Sequence, residues 1–342
     1  MNVLKAAVLA AAKRLGILTA VRDSRWRRQR LLILCYHGIS LEDEHEWRPA
    51  LYMTQDQLRG RLRMLRDGGY NVLPLDEAVR RLYAGDLPPR SVALTFDDGM
   101  HDFHARALPV LREFEMPATV YLTTYYCDPQ RPVFDVACPY ILWKGRGREC
   151  DGTGLTVDGR RLRLHTPAER EAAIAAIWDH VRDAGLSADG KDRLMRVLAE
   201  RLGVDYGHIL ERRILHIMSP DEVRALPQGL VDVQLHTHRH RTPAEHDLFM
   251  REIDENRRYI AGLAGDGART VHFCYPSGVY DRQHLPWLRE AKVESATTCT
   301  PGISSRGDDP LVLPRFVDTA GQSLLAFEAW TSGFAAWLPR RT

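Results

Sequence analysis

The sequence of 342 residues predicts an α/β fold built on a parallel sheet, either open or closed into a barrel. Short apolar runs of strand character alternate along the chain with longer segments that carry helix caps, which is the pattern of repeated β-α units. Hydrophobic residues make up 44% of the chain, enough for a large core. The chain contains no run of about eighteen apolar residues, so a membrane-spanning helix is not expected.

The apolar runs that we expect to form strands are, in chain order, 31–36, 92–96, 118–122, 231–235, 271–275 and 295–299. Helices are expected between them. After the first run, Thr54 is followed three residues later by Gln57, which is the pattern of a capping box. Gly68 and Gly69 supply the stop signal of this helix.

Two further helices have readable signals. Residues 102–114 form one of them, and Pro109 inside it is expected to produce a kink, because proline lacks the backbone N–H of a regular helix. Another is expected after the 231–235 run, with Thr242 as the cap and Pro243 at the first helical position.

The stretch of about 125–216 interrupts the alternation of strands and helices. Its polar, glycine-rich part, 144–160, is consistent with a small hairpin, and two helices are expected behind it, one capped by Thr166 and one over 188–202. We interpret the stretch as an insertion that caps one rim of a barrel. Such a cap could shape a groove for a polymer, contact a partner protein, or only decorate the fold.

Two polar motifs each follow an expected strand. Asp97 and Asp98, with Gly99 behind them, end the second run, and two carboxylates at a strand end can serve as metal ligand and as base. His236 and His240 follow the fourth run, and their spacing brings both imidazoles to one side of a helical turn or tight loop. Two imidazoles and one carboxylate suit a divalent cation with positions left for water and substrate. Each motif alone is also common in turns, but together they predict a metal site.

These motifs resemble those of the polysaccharide deacetylases with the NodB-homology fold, carbohydrate esterase family 4. The first family motif, Thr-Phe-Asp-Asp-Gly, stands at 95–99, and the second, His-Ser/Thr-x-x-His, at 236–240. The third motif resembles Phe-Cys-Tyr-Pro-Ser-Gly at 273–278, and Leu-Pro-Arg at 313–315 resembles a segment near the C-terminal end of that group. Tyr-His-Gly at 36–38 resembles the start of the exopolysaccharide-biosynthesis branch.

The resemblance runs from about residue 31 to about residue 318. It implies a distorted (β/α)7-type barrel with parallel strands and an inserted, mainly helical cap. The expected domains are a basic amphipathic N-terminal helix over 1–30 and a deacetylase barrel over 31–342, with the insertion at about 125–216.

The resemblance also implies a site. Three residues are expected to bind a divalent metal: Asp98, His236 and His240. Zn²⁺ is the expected ion, although imidazole–carboxylate sites also accept other first-row metals. Asp97 is the expected general base for the attacking water. The oxyanion is expected to receive a backbone N–H from the loop that contains Tyr275 and Ser277, and Thr237 is expected to fix a loop hydrogen bond or to contact the acetate.

Two positions depart from the family pattern. The late Leu-x-His motif that supplies the general acid in much of the family is absent, since Leu-Pro-Arg stands at 313–315. We therefore nominate His37 as the acid that protonates the leaving amine, the alternative being a structural histidine at a strand end. Cys274 stands where the family has an arginine that orients the base, and Arg315 is the expected replacement for that contact.

Charge is distributed unevenly along the chain. Residues 1–30 carry eight basic side chains and one acidic side chain, a net of +7, whereas the whole chain has a net charge of +2. Leu4, Val8, Leu15 and Leu18 recur there at helical spacing. This pattern favours equally an amphipathic helix on an anionic membrane surface and a helix packed on the barrel. A secretory signal is not expected, because the apolar stretch is short and interrupted by basic residues, and nothing else indicates nucleic-acid binding.

The six cysteines include no Cys-x-x-Cys pair. Three lie in apolar strand-like runs and are expected to be buried as small hydrophobic residues: Cys35, Cys274 and Cys299. The other three fall in the insertion, where free thiols are favoured over a disulfide or a metal site: Cys127, Cys138 and Cys150.

The expected function is that of a metal-dependent hydrolase that removes N-acetyl groups from an acetylated amino-sugar polysaccharide or its lipid-linked precursor. The expected reaction uses a metal-activated water and an aspartate base. One alternative is a metal-dependent deacylase of a substrate without N-acetylglucosamine, and another is a catalytically silent carbohydrate-binding or assembly protein. We expect action in the cytoplasm, or at the inner face of the membrane, because no clear secretion signal is present.

Overall fold

The computed structural model describes residues 3–264 and 269–338. The chain divides into two compact units, the first formed by Met1–Asp128 and Met218–Thr342 and the second by Pro129–Ile217. Three short ranges lie outside the described residues: 1–2, 265–268 and 339–342. The first belongs to the expected N-terminal helix, and the other two belong to the expected barrel domain.

The first unit contains a parallel sheet that curls into a half barrel. Its seven main strands are β1 (Leu32–Tyr36), β2 (Ser91–Phe96), β3 (Ala118–Leu122), β4 (Val231–Leu235), β5 (His272–Cys274), β6 (Ser295–Thr297) and β7 (Phe316–Val317). Their order in the sheet is β6-β5-β4-β3-β2-β1-β7, and a short strand, Asn71–Val72, pairs with β2 beside this path. The predicted fold class, a distorted β/α barrel with parallel strands, is confirmed.

The register of β1 and β2 sets the level of the strand ends. Leu32 pairs with Val92, and the pairing continues in step along both strands. All side chains of both strands are buried, as expected for parallel strands that are covered on both faces. The ladder continues beyond β2, since the N–H of Asp97 donates to the carbonyl of Tyr36 at 2.9 Å. The residues that follow the two strands therefore lie side by side.

Residues 313–315, which we call the seam segment, hydrogen-bond to the edge strand β6 and lead directly into the other edge strand, β7. The N–H of Leu313 donates to the carbonyl of Ala296 at 2.8 Å, and the N–H of Thr298 donates back to the carbonyl of Leu313 at 3.0 Å. The segment thus bonds to β6 immediately before the chain enters β7 and pairs with β1. Arg315, its last residue, has a fully buried side chain.

Helices cover this sheet. Those of the first unit are Val3–Arg14, Ile17–Asp23, Arg25–Arg28, Glu44–Trp47, Gln55–Asp67, Leu75–Ala84, Leu108–Phe114, Pro220–Arg224, His246–Ala264, His284–Glu290 and Leu324–Ser332. The predicted capping box of Thr54 and Gln57 is present at the start of Gln55–Asp67. Two short strands, Gly38–Ile39 and Tyr52–Met53, pair with each other after β1.

The helix around Pro109 is irregular, as predicted, but the irregularity has a form that the sequence did not indicate. A π-helical turn, Phe103–Ala107, precedes the α-helix Leu108–Phe114. Pro109 therefore lies in the first turn of the α-helical part, where a missing N–H costs least.

The predicted start of the helix after β4 is wrong. The helix begins at His246, not behind Thr242. The residues before it form a loop in which the N–H of Arg241 donates to Oγ1 of Thr237 at 3.1 Å. His240 has a φ of 54°, which is incompatible with a right-handed helix, so the loop geometry overrides the capping signal.

The N-terminal helices pack on the C-terminal helix, Leu324–Ser332. The buried side chains of this contact include Leu9, Ala12, Leu18, Ala326 and Ala329. Val8, Leu15 and Ile17 remain 42%, 75% and 39% exposed. One face of the N-terminal segment therefore packs on the barrel unit, and a second apolar face stays in contact with solvent. Within 3–264 and 269–338, every helix is too short or too polar to cross a bilayer.

The second unit is mainly helical. Its helices are Phe134–Lys144, Pro167–Asp183, Ala188–Arg201 and Tyr206–Glu211. Between the first two helices, Glu149–Cys150 pairs antiparallel with Leu162–Arg163, so the predicted hairpin is present but ends later than expected. Thr166 and Glu169 form a capping box at the second helix. The expected position of this insertion over a rim of the barrel stays a prediction.

Candidate metal centre and active site

The two polar motifs meet at the carboxyl ends of β2 and β4, the two strands that flank β3 in the sheet. Asp98 follows β2, while His236 and His240 belong to the loop behind β4. Oδ1 of Asp98 lies 3.1 Å from Nε2 of His236 and 3.2 Å from Nε2 of His240. One ligand atom from each of the three residues lies within 4.8 Å of the others. The three side chains thus form a compact set of donors on one side of the site.

Hydrogen bonds behind the ligands fit a metal centre. Nδ1 of His236 lies 2.9 Å from the carbonyl of Cys274, and since a carbonyl only accepts, Nδ1 is the donor. This fixes Nε2 as the ring atom that faces Asp98. Metal-binding histidines usually donate their second ring N–H in this way, so the residues present fit a divalent cation.

A buried asparagine holds the histidine loop in place. Asn256 is fully buried, and its Oδ1 accepts the backbone N–H of His236 at 2.9 Å. Its Nδ2 donates to the carbonyl of Leu122 at 2.9 Å and to Oγ1 of Thr124 at 3.0 Å. The amide thereby connects the ends of β3 and β4. Asn256 was not predicted, because nothing in the sequence distinguishes it from any other polar residue of a helix.

The ligand segments have unusual backbone geometry. Asp98, Thr237 and His240 have φ values of 70°, 63° and 54°. Few residues other than glycine occupy this left-handed region, and such strain concentrates at functional sites. Here it turns the carboxylate and the second imidazole toward each other.

Electrostatics at the ligand set favour positive charge. Burial raises the pKa of Asp98, but the two imidazoles outweigh it and hold that pKa well below its usual value. Burial lowers the pKa of His236, but the carboxylates of Asp98 and Asp97 outweigh it and the net shift is upward. The same negative potential favours a bound cation.

Asp97 lies beside the ligands in a buried ion pair. Arg315 reaches it from the seam segment, with Nη1 2.7 Å from Oδ1 and Nη2 2.7 Å from Oδ2. Burial alone would raise the pKa of Asp97, but the charge and hydrogen bonds of Arg315 lower it below its usual value. The contact that replaces the family arginine is therefore present in the structure, and Asp97 is ionised at neutral pH.

Thiols surround this ion pair. Sγ of Cys274 lies 3.4 Å from Oδ2 of Asp97, and Sγ of Cys35 lies 3.5 Å from the same oxygen. Nη2 of Arg315 lies 3.1 Å from Sγ of Cys274. Cys35 and Cys274 are buried, as expected. They do not only fill apolar space, however, because both contact charged groups. The alternation of strand side chains was an available signal, since Cys35 and His37 share one face of the chain.

His37, which follows β1, lies beside Asp97. Its Nε2 is 3.8 Å from Oδ2 of Asp97, and its side chain is 17% exposed. Nδ1 lies 4.0 Å from Sγ of Cys35. The ring is thus within reach of both the base and solvent, which is the placement that a proton donor to a substrate requires.

The loop behind β5 is built differently from our expectation for Tyr275. The backbone N–H of Tyr275 donates to the carbonyl of Thr297 at 3.2 Å, and the phenol of Tyr275 donates to the carbonyl of Leu311 at 3.0 Å. Tyr275 is fully buried, so it supports the loop and has no free N–H for an oxyanion. Ser277 is exposed and is the remaining candidate of the pair. Thr237 is buried and makes the loop hydrogen bond that was one of its two expected roles.

The geometry defines the class of the first unit, an α/β barrel with a carboxylate–imidazole set and an ion-paired aspartate at the carboxyl ends of its strands. A family model described as polysaccharide deacetylase matches residues 84–145, which include Asp97 and Asp98. This segment of the chain is therefore similar to the polysaccharide deacetylase family.

Two relatives are named poly-beta-1,6-N-acetyl-D-glucosamine N-deacetylase. The protein of Escherichia coli K12 is 30% identical over 98 residues, which cover 28% of this chain and 14% of that protein. The protein of Staphylococcus epidermidis is 31% identical over 72 residues, which cover 21% of this chain and 25% of that protein. The matched segment thus spans a quarter or less of these relatives.

Two solved structures share the fold. The deacetylase PplD of Streptococcus pyogenes, in complex with acetate, superposes with a TM-score of 0.57 at 21% identity over 91% of this chain and 99% of that chain. IcaB of Ammonifex degensii superposes with a TM-score of 0.54 at 18% identity over 89% of this chain and 97% of that chain. At these identities the likeness extends to the fold.

Proposed function

We propose that this protein is a divalent-metal-dependent deacetylase of an N-acetylated amino-sugar polysaccharide or its lipid-linked precursor. The observation that carries the proposal is the ion pair of Asp97 and Arg315 beside the ligand set. A protein that only bound metal or carbohydrate would not need an ionised, buried aspartate held on both oxygens at that place. The names of the Escherichia coli and Staphylococcus relatives support poly-β-1,6-N-acetylglucosamine as the first substrate to test.

The residues of the site have complementary tasks. Asp98, His236 and His240 would hold the cation, which supplies Lewis acidity toward the acyl oxygen and the attacking water. Asp97 accepts a proton from that water. Arg315 keeps both carboxylate oxygens oriented and balances the charge of Asp97 until the proton arrives.

Collapse of the tetrahedral species requires a proton on the leaving amine. His37 is a partly exposed imidazole beside Asp97 and is positioned to donate it. The backbone N–H of Ser277, in the loop behind β5, is the protein donor that we assign to the oxyanion. The acetyl methyl group carries no charge and is recognised by shape alone, which leaves other acyl substrates as an alternative.

The direct test is acetate release from β-1,6-linked N-acetylglucosamine oligomers by the purified protein. We expect release that stops on chelation, returns with Zn²⁺ and is lost in Asp97→Asn. Asp232→Asn, at the opposite end of β4, is the matched control and should retain activity. The same assay with O-acetylated sugars separates amide from ester hydrolysis.

The outcomes separate the alternatives. If the protein binds metal but releases no acetate from any acetylated sugar, the substrate class is wrong and other acyl compounds replace it. If it binds carbohydrate without hydrolysis and Asp97→Asn changes nothing, the carbohydrate-binding alternative is correct.

We further propose that the exposed face of the N-terminal segment rests on an anionic membrane surface, so that the protein acts at the inner face of the cytoplasmic membrane. Leu15 and Ile17 are exposed, and Arg14, Arg25 and Arg28 are exposed in the same segment. Apolar side chains interleaved with basic ones are typical of interfacial helices, and basic residues near an anionic surface add about 1 kcal/mol each.

Sedimentation with vesicles tests this contact. We expect binding to vesicles that contain phosphatidylglycerol, weaker binding in high salt, and a loss in Leu15→Glu. Val157→Glu changes a valine of the second unit that is also exposed, 62%, and should not alter binding. Equal binding of both variants would remove the membrane assignment and leave the deacetylase proposal intact.

A further inference from the structure

Two cysteines lie at the two ends of one hydrogen bond in the site. Nη2 of Arg315 donates to Oδ2 of Asp97 at 2.7 Å. Sγ of Cys35 lies 3.5 Å from that carboxylate oxygen, and Sγ of Cys299 lies 3.7 Å from that guanidinium nitrogen. The deacetylase reaction as derived above has no use for Cys299.

The two thiols also lie close to each other. Both sulfurs contact the same guanidinium–carboxylate pair, and each thiol is among the groups that shift the pKa of the other. They come from distant parts of the chain, since Cys35 belongs to β1 and Cys299 follows β6. Their proximity is a product of the barrel, and a bond between them would lie across the seam that residues 313–315 close.

Cys299 differs from Cys35 in access and in charge. Cys35 is fully buried, whereas Cys299 is half-buried in the loop behind β6. Cys35 and the charge of Arg315 outweigh the opposing effect of burial and lower the pKa of Cys299 to about 6. Burial raises the pKa of Cys35 well above its usual value. Thiolates rather than thiols react with peroxides, so Cys299 is the reactive member of the pair.

Space at Cys299 is provided by a glycine. Gly278, in the loop behind β5, has a φ of +67°, and a Cβ on it would lie 2.6 Å from Cβ of Cys299. The absent side chain lets the loop that carries Ser277 run directly beside the sulfur. Cys299 therefore lies next to the loop that we assign to substrate.

We propose that Cys35 and Cys299 are a redox modification site that closes to a disulfide when the protein meets a hydroperoxide. The thiolate of Cys299 attacks one peroxide oxygen, the O–O bond breaks, and Cys299 becomes a sulfenic acid while hydroxide or alkoxide leaves and takes a proton. Sγ of Cys35 then attacks Sγ of Cys299, the S–O bond breaks, and water leaves with the proton of Cys35. Two thiols are oxidised by two electrons and the peroxide is reduced.

The disulfide changes the surroundings of Asp97 directly. Oxidised Cys35 has no S–H to donate to Oδ2, and sulfur atoms joined at about 2.0 Å must leave their present contacts with the ion pair. A thiol reductant reverses the bond. The disulfide itself requires no deacetylase activity, so its detection is independent of the proposed function.

The other cysteines are internal controls. Cys274 is fully buried and makes its contacts with Asp97 and Arg315. Burial raises the pKa of Cys127 to about 12 and that of Cys138 still further. We expect these thiols to stay reduced under conditions that oxidise Cys299.

The test is peptide mapping of the full chain by mass spectrometry, without reduction, after treatment with hydrogen peroxide. We expect the free thiols of Cys35 and Cys299 to be lost. A cross-linked peptide should appear whose mass is the sum of the two thiol peptides less two hydrogen atoms. Dithiothreitol should restore both thiols. Cys299→Ser removes the cross-link, whereas Cys138→Ser leaves it unchanged.

Sulfinic acid at Cys299 with Cys35 still reduced overturns the pairing. The same holds for a mixture of cross-links in which Cys35–Cys299 does not dominate, and for two thiols that remain fully alkylable after oxidation. Where acetate release is measurable, oxidation should lower it reversibly in the parent protein, and Cys299→Ser should keep a larger fraction of its own starting activity.

Discussion

Two aspartates at opposite ends of the barrel, the buried Asp97 and the partly buried Asp232, have pKa values that are shifted in opposite directions. Asp97 follows the carboxyl end of β2, and Asp232 lies near the amino end of β4. Asp97 meets a guanidinium on both oxygens, and its pKa is lowered despite burial. Asp232 receives a hydrogen bond from the neutral amide of Gln234 at 2.8 Å, and burial raises its pKa to about 6.

At these two positions the partner separates the outcomes. The guanidinium of Arg315 outweighs the effect of burial on Asp97, whereas the neutral amide of Gln234 does not outweigh it on Asp232. The carboxyl group assigned to the proposed chemistry is thus one whose charge is balanced by a partner. Four changes test or refine this distinction.

The largest effect is expected for Arg315→Met, which would make the surroundings of Asp97 like those of Asp232. An unpaired buried carboxylate costs about 3–5 kcal/mol of unfolding free energy. Acetate release should fall to background, because the base loses its orientation. Denaturant unfolding and the acetate assay measure the two effects.

The double variant Asp97→Asn with Arg315→Met is the control for that change. With both charges removed, part of the lost stability should return, while activity stays absent. Stability losses that simply add would show that the two side chains do not interact.

His37→Asn should produce the next largest effect, about 10²–10⁴-fold lower turnover, which is the usual contribution of an acid–base group. Metal content should not change, because the ring is not among the three ligands. Kinetics with metal analysis on the same samples checks this, and an unchanged turnover would assign His37 a structural role.

Asn256→Ala should weaken the metal site by about 10–100-fold, since groups that orient a ligand histidine have effects of this size. Zinc titration against a competing chelator measures the affinity. Asn71→Ala, an exposed asparagine of a short strand in the same unit, is the matched control and should titrate like the parent. Equal affinities for all three proteins would rule out a positioning role.

The smallest effect concerns Asp232. Its pKa of about 6 in the folded protein exceeds the usual value near 3.9, so the folded state binds this proton more tightly than the unfolded chain. That stabilisation is complete at low pH and is lost as the pH rises from about 4 to about 6. Asp232→Asn should therefore gain stability relative to the parent over this range, by about 1–3 kcal/mol at about 1.4 kcal/mol per pKa unit.

Thermal unfolding at several pH values measures that gain. Asp221→Asn, whose side chain is 94% exposed, should parallel the parent at every pH. A constant difference between Asp232→Asn and the parent would show that the carboxyl group does not titrate in this range.

The parts of the molecule that depend on local patterns were predictable from the sequence. Strand positions, the capping box of Thr54, the helix cap at Thr166 and the ligand motifs follow from spacing and from side-chain type, and the fold class was confirmed. The start of the helix at His246 was missed, because a tertiary loop holds the preceding residues in left-handed geometry that a capping signal does not reveal.

Contacts that cross the barrel were harder to anticipate. The replacement of a family arginine by Arg315 was suggested by a gap in the motif, but its two-oxygen geometry depends on the seam segment. The link between Cys35 and Cys299 depends on the way β1 and β6 approach each other in three dimensions. No local pattern encodes that approach, so the thiols were expected only to fill space.

The seam segment has a consequence for how this protein can lose function. Leu313 bonds to β6, and two residues later Arg315 holds Asp97, so local opening of this edge would displace the carboxylate before the rest of the barrel unfolds. Amide hydrogen exchange at Leu313 would therefore report how often the native protein visits an incompetent state. A substitution far from the ligands that loosens this edge would lower the competent fraction while leaving the metal in place.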